Sequence, residues 1–481
     1  MRYGLHDGER RGDVLADLAI SPVTASHLAC PSENDQQKAG PCRKPGAMTT
    51  YSAVVTTGIY CRPGCAAKPL AQHVRTFDHP AATEAAGFRA CHRCRPYRVA
   101  GPVTTSAPEL VCEAVQQIIG GAMDDGGTEA TLAARIGMST RHLRRLFLTH
   151  LGVTPDQLAR SRRAHFARRL LDDTDLTVTD IAFAAGFGSL RQFNRTMQEV
   201  FRAPPTDLRH RGHRAGRLAA DGGLALRLPV VPGYDWDAMR AFLAARLVPG
   251  VEAVDGDTYR RTITMAGAPG LLEVSPGRED CLVLRAHLPY WEGLIHLVDR
   301  VGLLLGVEFD HSAGVAALSG DPVLGPLVAK RPGLAVPGAW SPFEVGVSAI
   351  LSGQPDRDRL LEAFAARLGI PVPGLQEGLT HTFPDPATVT SASLARIGLD
   401  PAETSAIAAL AAGRELPGVS DYVAFRLGQR DAFPSADPSL QAALVHLGLR
   451  APAANWRPWL ALAAAHLMAY GDTLVPGPVP A

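Results

Sequence analysis

Cysteine spacing constrains this chain more than any other feature. Cys61 and Cys65 stand as C-x3-C, and Cys91 and Cys94 follow as C-x2-C beyond a loop. Two such pairs on one chain can bring four thiolates around a single ion, the ligand set of a tetrahedral zinc site. Two disulfides, or four buried thiols, would also suit the spacing. The other four cysteines, Cys30, Cys42, Cys112 and Cys281, are scattered singly. Scattered singles fit a reducing cytoplasm, where disulfides do not persist, and this favours metal. Arg62, Arg89, Arg93, Arg95 and Arg98 surround the pairs. A cationic rim lowers thiol pKa and attracts phosphate.

The runs Thr56-Thr57-Gly58-Ile59-Tyr60-Cys61-Arg62-Pro63-Gly64-Cys65 and Phe88-Arg89-Ala90-Cys91-His92-Arg93-Cys94 resemble the Ada-type zinc domain of bacterial alkylation-response proteins. The resemblance implies Zn2+ held by Cys61, Cys65, Cys91 and Cys94. It also implies that Cys61 accepts a methyl group irreversibly from a methylated DNA phosphate. A four-thiolate centre carries excess negative charge, so one sulfur stays nucleophilic while bound. Methylating it removes a negative charge and should strengthen binding to a polyanion. The chain departs from that family just upstream: Met48-Thr49-Thr50-Tyr51 stands where relatives carry a helix and a strand rich in Arg, Phe and Asp.

A length of 481 residues suggests three or four domains of roughly 100–200 residues each. Net charge is +1, but its distribution is uneven: Thr131 to Leu170 holds nine arginines and one acid, Asp156. Such local excess points to nucleic acid. No segment is long and apolar enough to span a membrane, and the N-terminus has no signal-type apolar run. Residues 1–47 are polar and read as disordered, apart from a short helix near Asp13–Ala19. Tyr51–Val55 reads as a strand and Ala81–Ala86 as a short helix. Residues 99–108 and 213–222 read as linkers.

From about 109 to 212 the pattern is helical. Thr131–Ile136 predicts a helix, Gly137 a turn and Ser139 the N-cap of a second helix with Leu143, Leu146 and Phe147 on one face. A second copy spans Val178–Phe201, with Gly186 at the turn. Small residues at a tight turn let two helices cross closely, as helix-turn-helix geometry requires. Two such units, with the I-A-x-x-A-G-F-x-S-x-x-x-F-x-R run from Ile181 to Arg195, resemble the AraC-type DNA-binding domain. Arg141, His142, Arg144 and Arg145 are candidates for one recognition helix. Arg191, Gln192, Asn194 and Arg195 are candidates for the other. The pattern does not say which touch bases and which touch phosphates. The resemblance implies promoter DNA and RNA polymerase as partners.

Beyond Leu224 the texture changes to alternating strands: Leu224–Pro229, Glu252–Val254, Tyr259–Thr264, Leu271–Val274 and Cys281–Arg285. Tyr234-Asp235-Trp236 opens a helix expected to reach about Leu247, and Leu288–Leu305 reads as another. The Y-D-W start and the Y-R-R-T strand resemble the N-terminal α+β domain of the 3-methyladenine DNA glycosylase II (AlkA-type) family. From Arg331 the reading is helical. Leu416-Pro417-Gly418-Val419-Ser420 looks like the hairpin of a helix-hairpin-helix. Asp431-Ala432-Phe433-Pro434-Ser435-Ala436-Asp437 matches that family's D-x-F-P-x-x-D run, and Trp456-Arg457-Pro458-Trp459 its closing helix. The resemblance implies that Asp437 is the catalytic carboxylate, Tyr422 a base-pocket wall, and the hairpin amides at Gly418 a phosphate grip. This half departs from the family at several points. Ser420 takes a Gly position and residues are missing before Asp421-Tyr422. The helix pair before the hairpin is much shortened, and so is the helix after Ile350-Leu351. Met468 stands where relatives place a tryptophan, and Pro438 directly follows Asp437. No P-C-H-R-V run is present, so transfer from O6-methylguanine is not supported.

The expected fold is therefore multidomain α+β. A small zinc-binding α/β domain (48–98) precedes an all-α double helix-turn-helix domain (109–212). An α+β glycosylase N-terminal domain (223–330) and a shortened all-α helix-hairpin-helix domain (331–475) complete it. The expected function is repair of alkylated double-stranded DNA coupled to regulation of the response. The alternative is a regulator whose glycosylase half is degenerate; a third reading is a zinc-stabilised DNA-binding protein without chemistry.

Overall fold

The computed structural model describes residues 50–474, apart from 63–64, 66–69, 92, 95, 97–107, 125, 212–222, 279, 308–310, 373 and 376–377. Segment 1–47, with its expected helix, lies outside the described residues, as do the 213–222 linker, nearly all of the 99–108 linker, Arg95 and Arg98. Among the described residues no helix is long and apolar enough to cross a membrane.

The first layer is a four-stranded sheet in the order β3-β1-β2-β4. Strands β1 (Tyr51–Val54), β2 (Ile59–Cys61) and β3 (Val74–Phe77) pair antiparallel, and β4 (Arg89–Ala90) runs parallel to β2. Gly58, at φ +64°, makes the left-handed turn between β1 and β2 that residues with a Cβ resist. Helix α1 (Pro80–Ala85) packs on this sheet, and Tyr51, Ala53 and Tyr60 are buried beneath it.

Seven helices follow: α2 (Glu109–Ile119), α3 (Glu129–Arg135), α4 (Thr140–Leu151), α5 (Pro155–Asp173), α6 (Val178–Ala184), α7 (Leu190–Phe201) and α8 (Pro205–Arg211). Thr128, Ser139, Thr154, Thr177 and Ser189 each accept a first-turn amide hydrogen at a helix start. Each such cap contributes about 1 kcal/mol. Gly137 (φ +74°) and Gly186 (φ +77°) occupy the left-handed turns between α3 and α4 and between α6 and α7. The expected pair of helix-turn-helix units is thus present, joined by α5.

The second sheet has the order β5-β9-β8-β7-β6, all antiparallel. Its strands are β5 (Leu224–Pro229), β6 (Glu252–Asp255), β7 (Thr258–Met265), β8 (Ala268–Pro276) and β9 (Cys281–His287). Helix α9 (Trp236–Ala244) ends short of the expected Leu247, with Ala245 as its C-cap and the Arg246 amide turning back onto the Leu243 carbonyl at 3.0 Å. The helix expected over Leu288–Leu305 forms only as α10 (Leu294–Leu304). Pro289 and the left-handed Gly293 (φ +73°) hold the preceding residues out of it.

The remaining helices are α11 (Ser312–Leu318), α12 (Leu324–Lys330), α13 (Pro342–Ile350), α14 (Arg357–Leu368), α15 (Ser391–Leu394), α16 (Pro401–Ala411), α17 (Pro417–Arg426), α18 (Pro438–His446) and α19 (Leu460–Gly471). Buried charge ties them to the sheet. Arg261 of β7, only 1 % exposed, lies 2.9 Å from Glu344 of α13 and 3.3 Å from Glu252, with its guanidinium 4.3 Å from the Trp340 ring. Losing one partner of such a buried set typically costs 3–5 kcal/mol.

The layers are fastened to one another by polar contacts on α5. Tyr60 donates to Glu84 at 2.7 Å, and His165 of α5 stands 2.5 Å from the same Glu84 oxygen. Arg162 pairs with Asp299 of α10. Arg163 lies 3.2 Å from Asp124, whose other oxygen is 3.0 Å from His296 of α10. Arg227 of β5 pairs with Asp173 at 2.7 Å. One apolar cluster runs through all of this, from Tyr60 through Leu170 and Leu284 to Leu467.

Candidate functional site

Parallel pairing of β2 with β4 decides where the cysteines lie. Cys61 closes β2, and Cys91 follows β4 directly, its amide donating to the Tyr60 carbonyl at 2.9 Å. The Cys65 amide donates to the Arg62 carbonyl at 3.3 Å, which folds the second cysteine back toward the first. The four Sγ atoms all lie within 4.8 Å of one another, and none of the four is in a disulfide. Tetrahedral Zn–S bonds of about 2.3 Å place sulfurs about 3.8 Å apart, so the donor set fits zinc. The disulfide alternative is set aside.

Electrostatics support the same fit. Burial, then the nearby Cys94 and Cys91, push the Cys61 thiol well above its ordinary range. Burial chiefly pushes Cys94 up to about 12. Burial opposes ionisation of Cys91 too, but amide hydrogens of Cys94 and Arg93 outweigh it and hold that thiol below its usual value. Four sulfurs this close cannot all ionise without a cation among them. Arg62 and Arg93 are exposed beside the centre, and Arg89 is half-buried with its guanidinium donating to the Ala90 carbonyl.

The helix-turn-helix candidates share exposed faces. On α4, Leu143 and Phe147 are fully buried while Arg141, Arg144 and Arg145 are exposed and His142 is half-exposed. On α7, Phe193 and Met197 are buried while Arg191, Gln192, Asn194 and Arg195 are exposed. Two of these arginines have acidic neighbours: Arg144 lies 3.2 Å from Glu129, and Arg195 lies 2.8 Å from Glu199.

A second polar centre forms where α18 and α19 meet the residues after α9. Asp437 is the N-cap of α18; its Oδ1 accepts the Ser439 and Leu440 amides at 3.0 and 3.1 Å. Its Oδ2 lies 3.8 Å from Nη2 of Arg246, too far for a hydrogen bond. Burial raises the Asp437 carboxyl above its ordinary value despite Arg246 and the Leu440 amide, and Asp472 adds to the rise. Tyr422 of α17 is half-buried at this centre and accepts a hydrogen bond from Arg426 at 3.1 Å. The guanidinium groups of Arg246 and Arg426 lie 4.1 and 5.0 Å from the Phe242 ring.

Of the hairpin expected at Leu416–Ser420, only Leu416 lies in the short connection between α16 and α17, and Pro417–Ser420 form the first turn of α17. Pro417 takes the first position of α17, and the Val419 and Ser420 amides both donate to the Leu416 carbonyl. Proline at a first turn, with no room for the missing residues, favours helix there. Gly418 lies inside that first turn, and a Cβ on it would meet nothing within 4 Å, so it marks no close approach. Met468 is fully buried, packed in the core. Sequence reasoning missed Arg246, Ser439 and Asp472. Each carries only a weak local signal: Arg246 follows the helix opened by Tyr234-Asp235-Trp236, Ser439 stands two positions after Asp437, and Asp472 follows the glycine that ends α19.

Three regions of the chain match family models: the metal binding domain of Ada over residues 43–97, a helix-turn-helix domain over 132–211, and the AlkA N-terminal domain over 225–341. The class is thus a zinc-centred, helix-turn-helix protein joined to a glycosylase-type half. The chain is 35% identical over 460 residues to the probable bifunctional transcriptional activator/DNA repair enzyme AlkA of Mycobacterium tuberculosis, covering 86% of this chain and 91% of that one. It belongs to that family. It is also 30% identical over 186 residues to the bifunctional transcriptional activator/DNA repair enzyme Ada of Escherichia coli (38% of this chain, 51% of that one). DNA-3-methyladenine glycosylase 2 of the same organism is 34% identical over 154 residues (32% and 51%).

Proposed function

We infer that this chain repairs alkylated double-stranded DNA and regulates the response to it, and that it does so in the cytoplasm with promoter DNA and RNA polymerase as partners. The division proposed is a zinc domain at 48–98, an AraC-type domain at 109–212, and glycosylase domains at 223–330 and 331–475. The observation that carries the reading is the pairing of two polar centres in one chain, four clustered sulfurs at one end and, at the other, a buried carboxylate that shares Arg246 with Tyr422.

At the first centre, Zn2+ held by Cys61, Cys65, Cys91 and Cys94 keeps the sulfurs ionised at neutral pH. Cys61 Sγ attacks the methyl carbon of a methyl phosphotriester in line. The S–C bond forms as the C–O bond breaks, the electron pair stays on the phosphate oxygen, and the diester is restored. Cys61 ends as a thioether, one negative charge is lost from the protein, and its attraction to DNA rises. Arg62, Arg89 and Arg93 supply phosphate contacts. Arg141, His142, Arg144 and Arg145 on one side and Arg191, Gln192, Asn194 and Arg195 on the other read or grip the promoter.

At the second centre the carboxylate of Asp437 faces the sugar of an extruded nucleotide, with Tyr422 as one wall of the base pocket. The C1′–N bond breaks, its electron pair leaves with the already cationic base, and water adds at C1′. Asp437 stabilises the developing oxocarbenium ion and takes the proton of that water. Gly418 contributes its first-turn amide to a phosphate.

A regulator with a degenerate glycosylase half is favoured by the helical first turn at Leu416–Ser420 and by the buried Met468. One experiment separates the readings. Full-length protein is incubated with methylated DNA, and free 3-methyladenine and 7-methylguanine are counted. Release is expected, falling at least about 100-fold in Asp437→Asn, which keeps the helix cap. No release by the unmodified protein leaves the regulator, and a methyl mass increase on Cys61 from methyl-phosphotriester DNA then shows that the sensor remains.

A further inference from the structure

We propose that Asp472 is a positioning residue for Asp437, acting through Arg246; this rests on the glycosylase reading of the second centre. Arg246 is the cation nearest the carboxylate, and an unrestrained guanidinium would fork onto it, since the bidentate pair is the strong arrangement. It does not. Its Nη1 and Nη2 instead donate to Oδ2 and Oδ1 of Asp472, both at 3.3 Å. The Ser439 hydroxyl donates to the same Asp472 Oδ1, and the guanidinium rests on the Phe242 ring at 4.1 Å. Arg246 Nη2 is left 3.8 Å from Asp437 Oδ2.

The chain makes this arrangement possible at Gly471. A Cβ there would lie 1.8 Å from the Ser439 carbonyl oxygen, so only glycine lets the end of α19 touch the first turn of α18. That contact sets Asp472 directly against Ser439, two residues beyond Asp437. The sequence signals are a Gly-Asp pair ending α19 and a serine two positions after Asp437.

The consequence is electrostatic. Asp437 and Asp472 with Arg246 between them sum to one negative charge at this centre. Without Asp472 the sum is zero, and Arg246 is free to close on Asp437 and mask the carboxylate. A cationic sugar is stabilised by the first arrangement and not by the second. Tyr422 also faces Arg246, and Arg426 shares the Phe242 ring with it.

The test uses full-length Asp472→Asn, Asp472→Glu and Arg246→Met. Two readouts are taken. One is the pH profile of base release from methylated DNA. The other is the affinity ratio for duplexes carrying a cationic pyrrolidine nucleotide over a neutral tetrahydrofuran abasic nucleotide. In Asp472→Asn, kcat should fall about 10-fold near neutrality with KM little changed, and the acid limb should move to lower pH. The pyrrolidine preference should fall about 10-fold. Asp472→Glu should restore most of both. Arg246→Met should move the acid limb the opposite way, which a merely structural role for either residue would not do.

An unchanged acid limb and unchanged pyrrolidine preference in Asp472→Asn overturn the proposal. If the unmodified protein releases no base yet prefers the pyrrolidine duplex, and Asp472→Asn loses that preference, the positioning role stands and the glycosylase reading fails. Absence of both release and preference in the unmodified protein overturns the two together.

Discussion

The two polar centres solve one problem in opposite ways. At the cysteine centre, like charges are crowded together and an outside cation must neutralise them; the ligands come from two short stretches, 61–65 and 91–94. At the carboxylate centre the neutralising cation is part of the chain. Arg246 follows α9, Asp437 precedes α18 and Asp472 follows α19, so three distant segments must already be packed before the charges meet. The first centre lends stability to its fold, whereas the second depends on a fold formed without it.

That contrast is broken most sharply by removing one ligand. Cys65→Ala should reduce bound zinc from one equivalent to none and unfold the surrounding sheet, because structural zinc contributes on the order of 10 kcal/mol or more to such small domains. Zinc stoichiometry together with hydrogen exchange over Tyr51–Ala90 reports it. Base release by the same variant should stay within about twofold, since distant sites act additively. A comparable fall in base release would show that the two centres share their stability.

Acid sharpens the comparison from the other side. Burial chiefly, with His311 and Arg331 nearby, lowers the pKa of His466 on α19 to about 4. Unfolded chains bind its proton near pH 6.5, so between pH 6.5 and 4 the unfolded state holds more protons than the native one. Stability is therefore complete above about 6.5 and falls as pH drops toward 4, by at most roughly 3 kcal/mol. Urea midpoints against pH should show this slope, and His466→Met should flatten it. The zinc centre loses its metal on acidification as its thiolates protonate, and a zinc-sensitive dye separates that event from the loss around α19.

What could be read in the sequence follows the same division. Cysteine spacing announces the metal site because the ligands are local. Capping residues and paired glycines announce both helix-turn-helix units for the same reason. Ser139 caps as expected, Gly137 and Gly186 turn as expected, and Ser189 caps the matching helix of the second unit. The strands of the second sheet were legible from alternation. The parallel pairing of β2 with β4 was not, because a two-residue strand has no pattern. Leu288–Leu305 was read as one helix because apolar period outweighed Pro289 and Gly293. At Leu416–Ser420 a familiar motif outweighed the physics of Pro417 at a first helical position. Asp437 was legible as a motif residue, whereas its partners Arg246 and Asp472 lie 191 and 35 positions away and meet it only through packing.

The smallest effect concerns the contact that joins the first centre to the helices. Tyr60 immediately precedes Cys61 on β2, and its hydroxyl donates to Glu84 at 2.7 Å. His165 of α5 stands 2.5 Å from that Glu84 oxygen and 3.4 Å from the Tyr60 hydroxyl. Burial first, then Glu84, raises the Tyr60 pKa well above its usual value, so the phenol stays a donor at any physiological pH. His165→Ala removes one partner of a largely buried trio, at a cost of about 1–3 kcal/mol. Protection of the β2 and α1 amides against hydrogen exchange should fall roughly 10-fold, with zinc content unchanged. The His165→Gln variant, which can still donate to Glu84, should recover part of it. Unaltered protection in His165→Ala would mean that the apolar cluster alone holds the zinc domain on α5, and that Glu84 finds its hydrogen bond elsewhere.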